Sequence, residues 1–269
     1  MSRARGPLNI LVTNDDGVFA PGLLALKIAL EHAGHRVTVC APDRPRSASG
    51  HAITLHKPLR LKQVALADGT VGWAGSGTPA DCVTLGVLDV LDGTTVDIVV
   101  SGINHGPNLG WDVTYSGTVS AAMEAVINGT PAVAVSVASY DEKIHWEPVA
   151  EFVAATLVPR VAEHGLPPAT LLNVNAPNLS QAELRGVRVA SQGDRQYVDR
   201  LEKRIDPSGR AYYWLGGRLH DTDTAEGTDT RSVGEGYISV TPIQLDMTAH
   251  GLLRDLRGWG VERGVDTPA

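Results

Sequence analysis

Short hydrophobic runs alternate with longer helical patterns through the first two thirds of the chain. The runs are rich in Val, Ile, Leu and Ala and lack polar alternation, which is typical of strands buried on both faces of a parallel sheet. The five predicted strands cover residues 8–13, 36–41, 97–102, 132–137 and 171–176. Because strand and helix follow one another in turn, we predict an α/β fold over residues 1–190, a doubly wound, Rossmann-like domain with a mostly parallel sheet.

Residue types that begin and end helices mark the predicted helices between these strands. Pro21 stands near the start of the first helix and Gly34 at its end. Thr78 is a predicted N-cap, followed by a first-turn Pro and by an acidic residue three positions on. The third and fourth helices are predicted over about 116–129 and 147–164, and a further one carries Asp246 and His250.

The pattern changes beyond about residue 190. Residues 193–217 are typical of a long charged hairpin with its turn at 206–209, residues 220–235 of a polar loop, and residues 237–243 of a returning strand. An isolated two-stranded hairpin is marginal in water, so its aromatic rings need another surface. We therefore predict that residues 191–269 form a hairpin arm and tail of the same domain, and that the arm joins copies of the chain into a homo-oligomer. The alternative, in which the arm folds back onto its own domain, is left open by the sequence alone. The aromatic and Arg residues behind this prediction are Tyr197, Tyr212, Tyr213, Trp214, Arg195, Arg200, Arg204 and Arg210.

Polar residues follow the first three predicted strands. Asp15 and Asp16 come after the first strand, a Ser- and Gly-rich loop after the second, and Asn104 and Asn108 after the third. In doubly wound sheets ligands bind outside the carboxyl ends of the strands, where the winding reverses. We expect these polar groups to gather at that edge.

The adjacent carboxylates of Asp15 and Asp16 point to a metal ion. Like charges placed side by side raise each other's pKa unless a cation neutralises them. A helix cap with a solvated turn explains the same Asp-Asp-Gly sequence, so the pair alone does not decide. The amide oxygen of Asn104 completes an oxygen set that suits Mg²⁺ or Mn²⁺, whereas no His/Cys cluster supports zinc. For Asn108 an ordinary turn is the stronger interpretation.

The sequence Ser116-Gly117-Thr118 opens the third predicted helix. Unpaired N–H groups and the helix dipole favour an anion such as phosphate at this position. A plain Ser cap is the alternative. A cation site beside an anion site suits the metal-assisted hydrolysis of a phosphomonoester, in which water attacks phosphorus.

Five motifs follow one another along the chain: TNDDGV (13–18), APDRPRSASGHAIT (41–54), GTPADCV (77–83), SGINHGPNLG (101–110) and YSGTVSAAMEA (115–125). In order and in approximate spacing they resemble the SurE family of nucleotidases and phosphatases. The resemblance implies a catalytic domain over residues 1–190 that hydrolyses nucleoside 5′- and 3′-monophosphates and leaves short polyphosphate open as a substrate. It also implies a homodimer or homotetramer that assembles through the C-terminal arm. The implied site residues are Asp15, Asp16, Ser47 and Asn104 for the divalent metal, with Asp15 and Asp16 catalytic, and Asn108, Ser116, Gly117 and Thr118 facing the phosphate.

Three alternatives compete with this hypothesis. A haloacid-dehalogenase-like phosphatase needs a nucleophilic Asp two positions before Asp16, where this chain has Asn14. A dinucleotide-dependent oxidoreductase needs Gly-x-Gly-x-x-Gly after the first strand, which is missing. A nucleotide-binding sensor without hydrolysis remains open, because binding groups alone do not show turnover.

Composition narrows the setting. The net charge of −7 provides no basic surface for a nucleic-acid duplex. No apolar run approaches the roughly 20 residues of a membrane span, and no secretory signal precedes the first strand. Cys40 and Cys82 are interpreted as buried thiols in a reducing compartment. We therefore expect a cytoplasmic protein that contacts neither duplexes nor membranes.

Overall fold

The computed structural model describes residues 6–220 and 225–261, without the side chains of 196–200 and 218–220. The remaining parts of the predicted arm and tail, residues 221–224 and 262–269, lie outside the described residues. The strands are β1 (Asn9–Thr13), β2 (Arg36–Pro42), β3 (Leu61–Ala65), β4 (Val71–Gly75), β5 (Ile98–His105), β6 (Ala132–Val137), β7 (Thr170–Ala176), β8 (Val187–Val189), β9 (Gln196–Ile205), β10 (Ala211–His220) and β11 (Ile238–Gln244).

Within the described residues, one sheet runs in the order β3-β4-β2-β1-β5-β6-β7-β11-β8. The strands from β4 to β7 in this order are all parallel, whereas β3 and β11 are antiparallel to their inner neighbours. The chain winds outward from β1 through β2 and then crosses to β5 on the other side of β1. The winding therefore reverses between β1 and β5, which confirms the predicted doubly wound α/β fold.

Helices cover both faces of the sheet. They are α1 (Pro21–His32), α2 (Pro79–Leu85), α3 (Gly117–Ile127), α4 (Glu147–Phe152), α5 (Val158–His164), α6 (Asp229–Gly234) and α7 (Leu253–Gly258); a π-helical turn at Val153–Leu157 joins α4 to α5. Alternate strand residues point to opposite faces. Ile10 and Val12 thus belong to the core under α1 and α4, while Leu11 belongs to the core under α2 and α3. Among the described residues, no helix has the length and apolar character needed to cross a membrane.

The predicted hairpin is present as β9 and β10, which pair antiparallel around a turn in which Gly209 N donates to Asp206 O at 3.0 Å. Three other features differ from the sequence prediction. The strands β3, β4 and β8 were missed because their exposed positions break the hydrophobic run. The stretch 220–235, predicted as a loop, contains the short helix α6, which Thr228 caps. Asp246 precedes α7 and lies on no helix, although it accepts a 2.8 Å hydrogen bond from His250.

Candidate functional site

A tight turn after β1 presents the two carboxylates. Asn14 is fully buried, and its side chain closes the turn: Gly17 N donates to Asn14 Oδ1 at 3.1 Å, and Asn14 Nδ2 donates to Gly17 O at 3.0 Å. Gly17 adopts a φ of +98°, which favours glycine. Asn14 is thus a structural amide with both side-chain groups engaged, which argues against a covalent nucleophile at this position.

Asp15 lies beneath the start of α3. Its side chain is buried, and the hydroxyl of Thr118 donates a hydrogen bond to Oδ1. Burial raises the pKa of Asp15 to about 6; the hydrogen bond from Thr118 opposes this shift and the charge on Asp16 adds to it. The ionised form of Asp15 is therefore costly unless a cation compensates for it.

Asp16 joins the end of β1 to the end of β5. Its Oδ2 accepts a hydrogen bond from His105 N at 2.9 Å. Burial also raises the pKa of Asp16, although the His105 N–H favours the charged form. Two neighbouring carboxylates with raised pKa values at one sheet edge form a site that a divalent cation would stabilise.

Asn104 lies on β5 beyond a break in the strand register between Ser101 and Asn104. Its Nδ2 donates to Gly106 O at 2.8 Å, which commits the amide nitrogen to the main chain. The side-chain oxygen is then the atom that can bind a cation. The position of Asn104 on the strand adjoining β1 brings this oxygen to the edge that carries the carboxylates.

Main-chain bonds hold the loop that carries Ser47 against this edge. Arg46 N donates to Asp15 O at 2.7 Å, and Gly50 N donates to Tyr115 O at 3.1 Å. Between them, Ala48 adopts a φ of +54°, a conformation that costs energy for a residue with a Cβ. Ser47 is exposed to solvent and lines the cleft.

The start of α3 faces Asp15. Ser116 caps the helix, because its Oγ accepts a hydrogen bond from Val119 N at 3.0 Å. A Cβ on Gly117 would lie 2.8 Å from Asp15 Cβ and 2.9 Å from Asp15 Oδ2, so glycine allows the carboxylate to approach the helix. The first N–H groups of a helix have no partner within the helix. The N–H of Thr118 interacts with the Asp15 carboxylate, which leaves that of Gly117 for an anion.

Asn108 belongs to a buried polar network. Its N–H donates to Asn175 Oδ1 at 2.8 Å and its Nδ2 donates to Ser136 Oγ at 2.7 Å, while its carbonyl oxygen accepts from Asn173 Nδ2 at 2.8 Å. These bonds fix the loop after β5 against β6 and β7. Asn108 lines the cleft, but most of its polar groups are engaged in holding the loop.

A cleft of about 230 Å³ joins these elements. Five of the eight predicted site residues line it. Of the other three, Gly117 and Thr118 lie against Asp15, and Asp16 accepts the hydrogen bond from His105 N. The first group is Asp15, Ser47, Asn104, Asn108 and Ser116; the second is Asp16, Gly117 and Thr118.

Sequence reasoning missed three residues that line the same cleft: Asp112, Tyr115 and Tyr140. Tyr115 directly precedes the Ser-Gly-Thr sequence at the start of α3, so its neighbourhood was a usable signal. Tyr140 follows β6 and carries no motif. Asp112 forms an ion pair with Arg195 at 3.3 Å.

The donor set fits a hard cation. Within residues 6–220 and 225–261, no group of three or more His, Cys, Asp or Glu side chains is placed to hold a metal ion. A cation at this cleft would therefore depend on two carboxylates together with neutral oxygens from Asn104 and Ser47. Carboxylate, amide and hydroxyl oxygens suit Mg²⁺ or Mn²⁺ better than zinc.

Comparison with known proteins adds independent findings. The family model described as Survival protein SurE matches residues 10–199. The 5′-nucleotidase SurE of Synechococcus sp. (strain JA-3-3Ab) is 48% identical over 257 residues, which cover 94% of this chain and 98% of the relative. The 5′-nucleotidase SurE of Geobacter sulfurreducens is 50% identical over 252 residues, which cover 94% of each chain. The crystal structure of the SurE protein from Aquifex aeolicus superposes with a TM-score of 0.81 at 42% identity, covering 94% of this chain and 99% of that one.

Proposed function

The chain belongs to the SurE family, and on this premise we propose that it is a 5′-nucleotidase, a phosphomonoesterase that hydrolyses nucleoside monophosphates. The observation that carries the proposal is the convergence of Asp15, Asp16, Asn104 and the start of α3 on one cleft. We extend the proposal to 3′-monophosphates, because neither the carboxylates nor the helix start distinguishes the two ester positions.

We propose that Asp15, Asp16, Ser47 and Asn104 hold a divalent cation, Mg²⁺ or Mn²⁺. A cation bound there would neutralise phosphoryl oxygens and activate the attacking water. Asp15 and Asp16 supply the negative charge, and their raised pKa values fit a site that is built to be neutralised. Ser47 and Asn104 supply neutral oxygens.

The substrate phosphate would lie at the start of α3. The N–H group of Gly117 and the dipole of this eleven-residue helix favour an anion there. The Thr118 hydroxyl donates to Asp15 and so aligns the carboxylate with the helix start. Ser116 holds the first turn in place through its cap. These residues would orient the phosphate toward the water that attacks it.

Phosphate release tests the function. Purified protein is incubated with 5′-AMP, 3′-AMP and short polyphosphate, each with Mn²⁺, Mg²⁺ or a chelator. We expect the nucleotides to release phosphate and the chelator to abolish this release. Asp15→Asn should also abolish the release, whereas the control Asp92→Asn, at an exposed aspartate, should retain it. Nucleotide binding without any phosphate release would favour the sensor and contradict the enzyme.

We also propose a homodimer or homotetramer held by the hairpin. The described side chains of β9 and β10 are exposed, with Trp214 at 61% and Leu215 at 85%, and among the described residues the two strands pair only with each other. Arg195, a predicted contact residue, is instead buried beside Asp112 of its own chain. The predicted contacts of Tyr197 and Arg200 lie outside the described side chains. We expect an oligomer by light scattering at micromolar concentration. Replacing 199–217 with a two-residue Asn-Gly turn should give a monomer that still binds metal, and a monomeric full-length chain would contradict the proposal.

We propose the cytoplasm as the working compartment. Cys40 and Cys82 are both buried, free thiols in the same hydrophobic cluster. Neighbouring thiols persist unbridged where the environment is reducing. Cell fractionation with immunodetection tests this, and recovery of the protein outside the cytoplasmic fraction would contradict it.

A further inference from the structure

The cleft has a polar floor and an aromatic rim. The floor carries the carboxylate and hydroxyl groups proposed to handle the cation and the phosphate. Two tyrosine side chains at the same cleft, Tyr115 and Tyr140, remain 69% and 72% exposed. Exposed rings beside a polar cleft offer apolar faces that water solvates poorly and that a ligand can cover.

The two rings are placed by different parts of the fold. Tyr115 lies immediately before the cap of α3, and its carbonyl oxygen accepts the 3.1 Å hydrogen bond from Gly50 N. Tyr140 lies in the loop after β6 and packs against Gly106, where a Cβ would come within 2.8 Å of Tyr140 Cε1. Gly106 N is itself bonded to Val137 O at 3.0 Å. Tyr115 is therefore anchored through its main chain, and Tyr140 through the contact of its ring with Gly106.

The size of the cleft indicates which part of a nucleotide meets these rings. Its volume of about 230 Å³ lies below the range of about 300–1,000 Å³ that is usual for pockets enclosing a whole organic ligand. The enclosed part can hold a phosphate and its sugar. The base must then lie at the mouth of the cleft, where the exposed rings are.

We propose that Tyr115 and Tyr140 form the nucleobase subsite and bind the base by stacking, an inference that rests on the proposed nucleotidase function. Stacking on an aromatic side chain contributes about 1–3 kcal/mol per base and tolerates any base, because every base has a π face. The subsite therefore selects substrates that carry a base over sugar phosphates, and favours purines over pyrimidines through their larger stacking area.

A neighbouring aromatic residue differs from the pair. Trp111 is 53% exposed, but its Nε1 donates to Asp194 Oδ1 at 2.8 Å, which ties it to the segment before β9. It does not line the cleft. Exposure alone thus does not assign a ring to the subsite; the assignment depends on lining the cleft beside the phosphate groups.

Steady-state kinetics with Mn²⁺ on 5′-AMP and on ribose 5-phosphate, which lacks a base, test the subsite. We expect Tyr115→Ala and Tyr140→Ala each to raise KM for 5′-AMP by about 5- to 100-fold, which is the stacking energy converted at 1.4 kcal/mol per factor of ten. The kcat for 5′-AMP and the kcat/KM for ribose 5-phosphate should stay within about twofold of wild type, because the rings are not among the groups proposed to hold the phosphate or the cation. Tyr115→Phe and Tyr140→Phe retain the ring and should behave as wild type.

Adenosine gives a readout that needs no phosphate. Its inhibition constant against ribose 5-phosphate should rise in the two Ala variants and stay unchanged in Leu88→Ala, a control at an exposed leucine that lines no part of the cleft. Equal losses on both substrates, or an unchanged adenosine constant, would overturn the subsite while leaving the nucleotidase function intact. If the wild-type protein releases phosphate from neither substrate, the proposed function itself fails.

Discussion

Gly117→Ala tests how closely the start of α3 approaches Asp15. The added Cβ would lie 2.8 Å from Asp15 Cβ, 2.9 Å from Asp15 Oδ2 and 3.0 Å from Ser49 Oγ. Real Cβ contacts are rarely shorter than about 3.4 Å, so Asp15 or the helix start must shift by about half an ångström. The backbone of Gly117 does not need glycine, because it does not adopt a positive φ.

Two effects on stability oppose each other in this variant. Overpacking a buried site costs about 1–3 kcal/mol. Replacing glycine by alanine in a helix returns up to about 1 kcal/mol. The net loss of about 0–3 kcal/mol lowers Tm by up to about 12 °C for a chain of this length. The effect on activity should be larger, since a displacement of the order of 1 Å in a catalytic group costs about 100-fold.

Calorimetry and kinetics separate the two effects. We expect Gly117→Ala to fold, to lose about 10- to 100-fold in kcat/KM for 5′-AMP, and to bind Mn²⁺ more weakly by isothermal titration, because Asp15 is a proposed ligand. Gly234→Ala is the matched control, since a Cβ there would meet no atom within 4 Å. If Gly117→Ala kept wild-type kcat/KM and Mn²⁺ affinity, the approach of α3 to Asp15 would have no part in the site.

Three further outcomes are expected. Asp16→Asn should nearly abolish activity and Mn²⁺ binding while the fold survives. Ser47→Ala should lose less activity and less Mn²⁺ affinity, because a neutral hydroxyl binds a hard cation more weakly than a carboxylate does. Equal losses of Mn²⁺ affinity by isothermal titration would contradict this ranking. Thr118→Val removes the hydrogen bond to Asp15, so kcat/KM and Mn²⁺ affinity should both fall. Asp68→Asn should lower the free energy of unfolding at pH 7. The hydrogen bond from Lys27 Nζ, at 2.8 Å, holds the pKa of Asp68 at about 2, so the stabilisation is complete above about pH 4 and is lost as pH falls toward 2. Urea titrations that show a constant gap between variant and wild type across this range would refute that linkage.

The sequence by itself determined the layered fold and the edge of the sheet that carries the site. Hydrophobic runs and helix caps are local signals, so β1, β2, β5, β6 and β7 could be located before the structure was known. The carboxyl ends of parallel strands share one edge, which is why Asp15, Asp16 and Asn104 could be placed together. Ser47 was identified by family resemblance and not by physical reasoning, because a loop serine carries no local signal of its own.

The tertiary structure alone decided which distant residues meet at that edge. Tyr140 reaches the cleft because Gly106 leaves room for its ring, and the Thr118 hydroxyl reaches Asp15 because Gly117 has no side chain. The polar groups of Asn108 are engaged by Ser136, Asn173 and Asn175 on neighbouring strands, which a turn motif does not reveal. Periodicity and capping depend on residues a few positions apart. Contacts across 30 or more residues depend on how the strands are ordered and registered, and that order is settled only when the whole core packs.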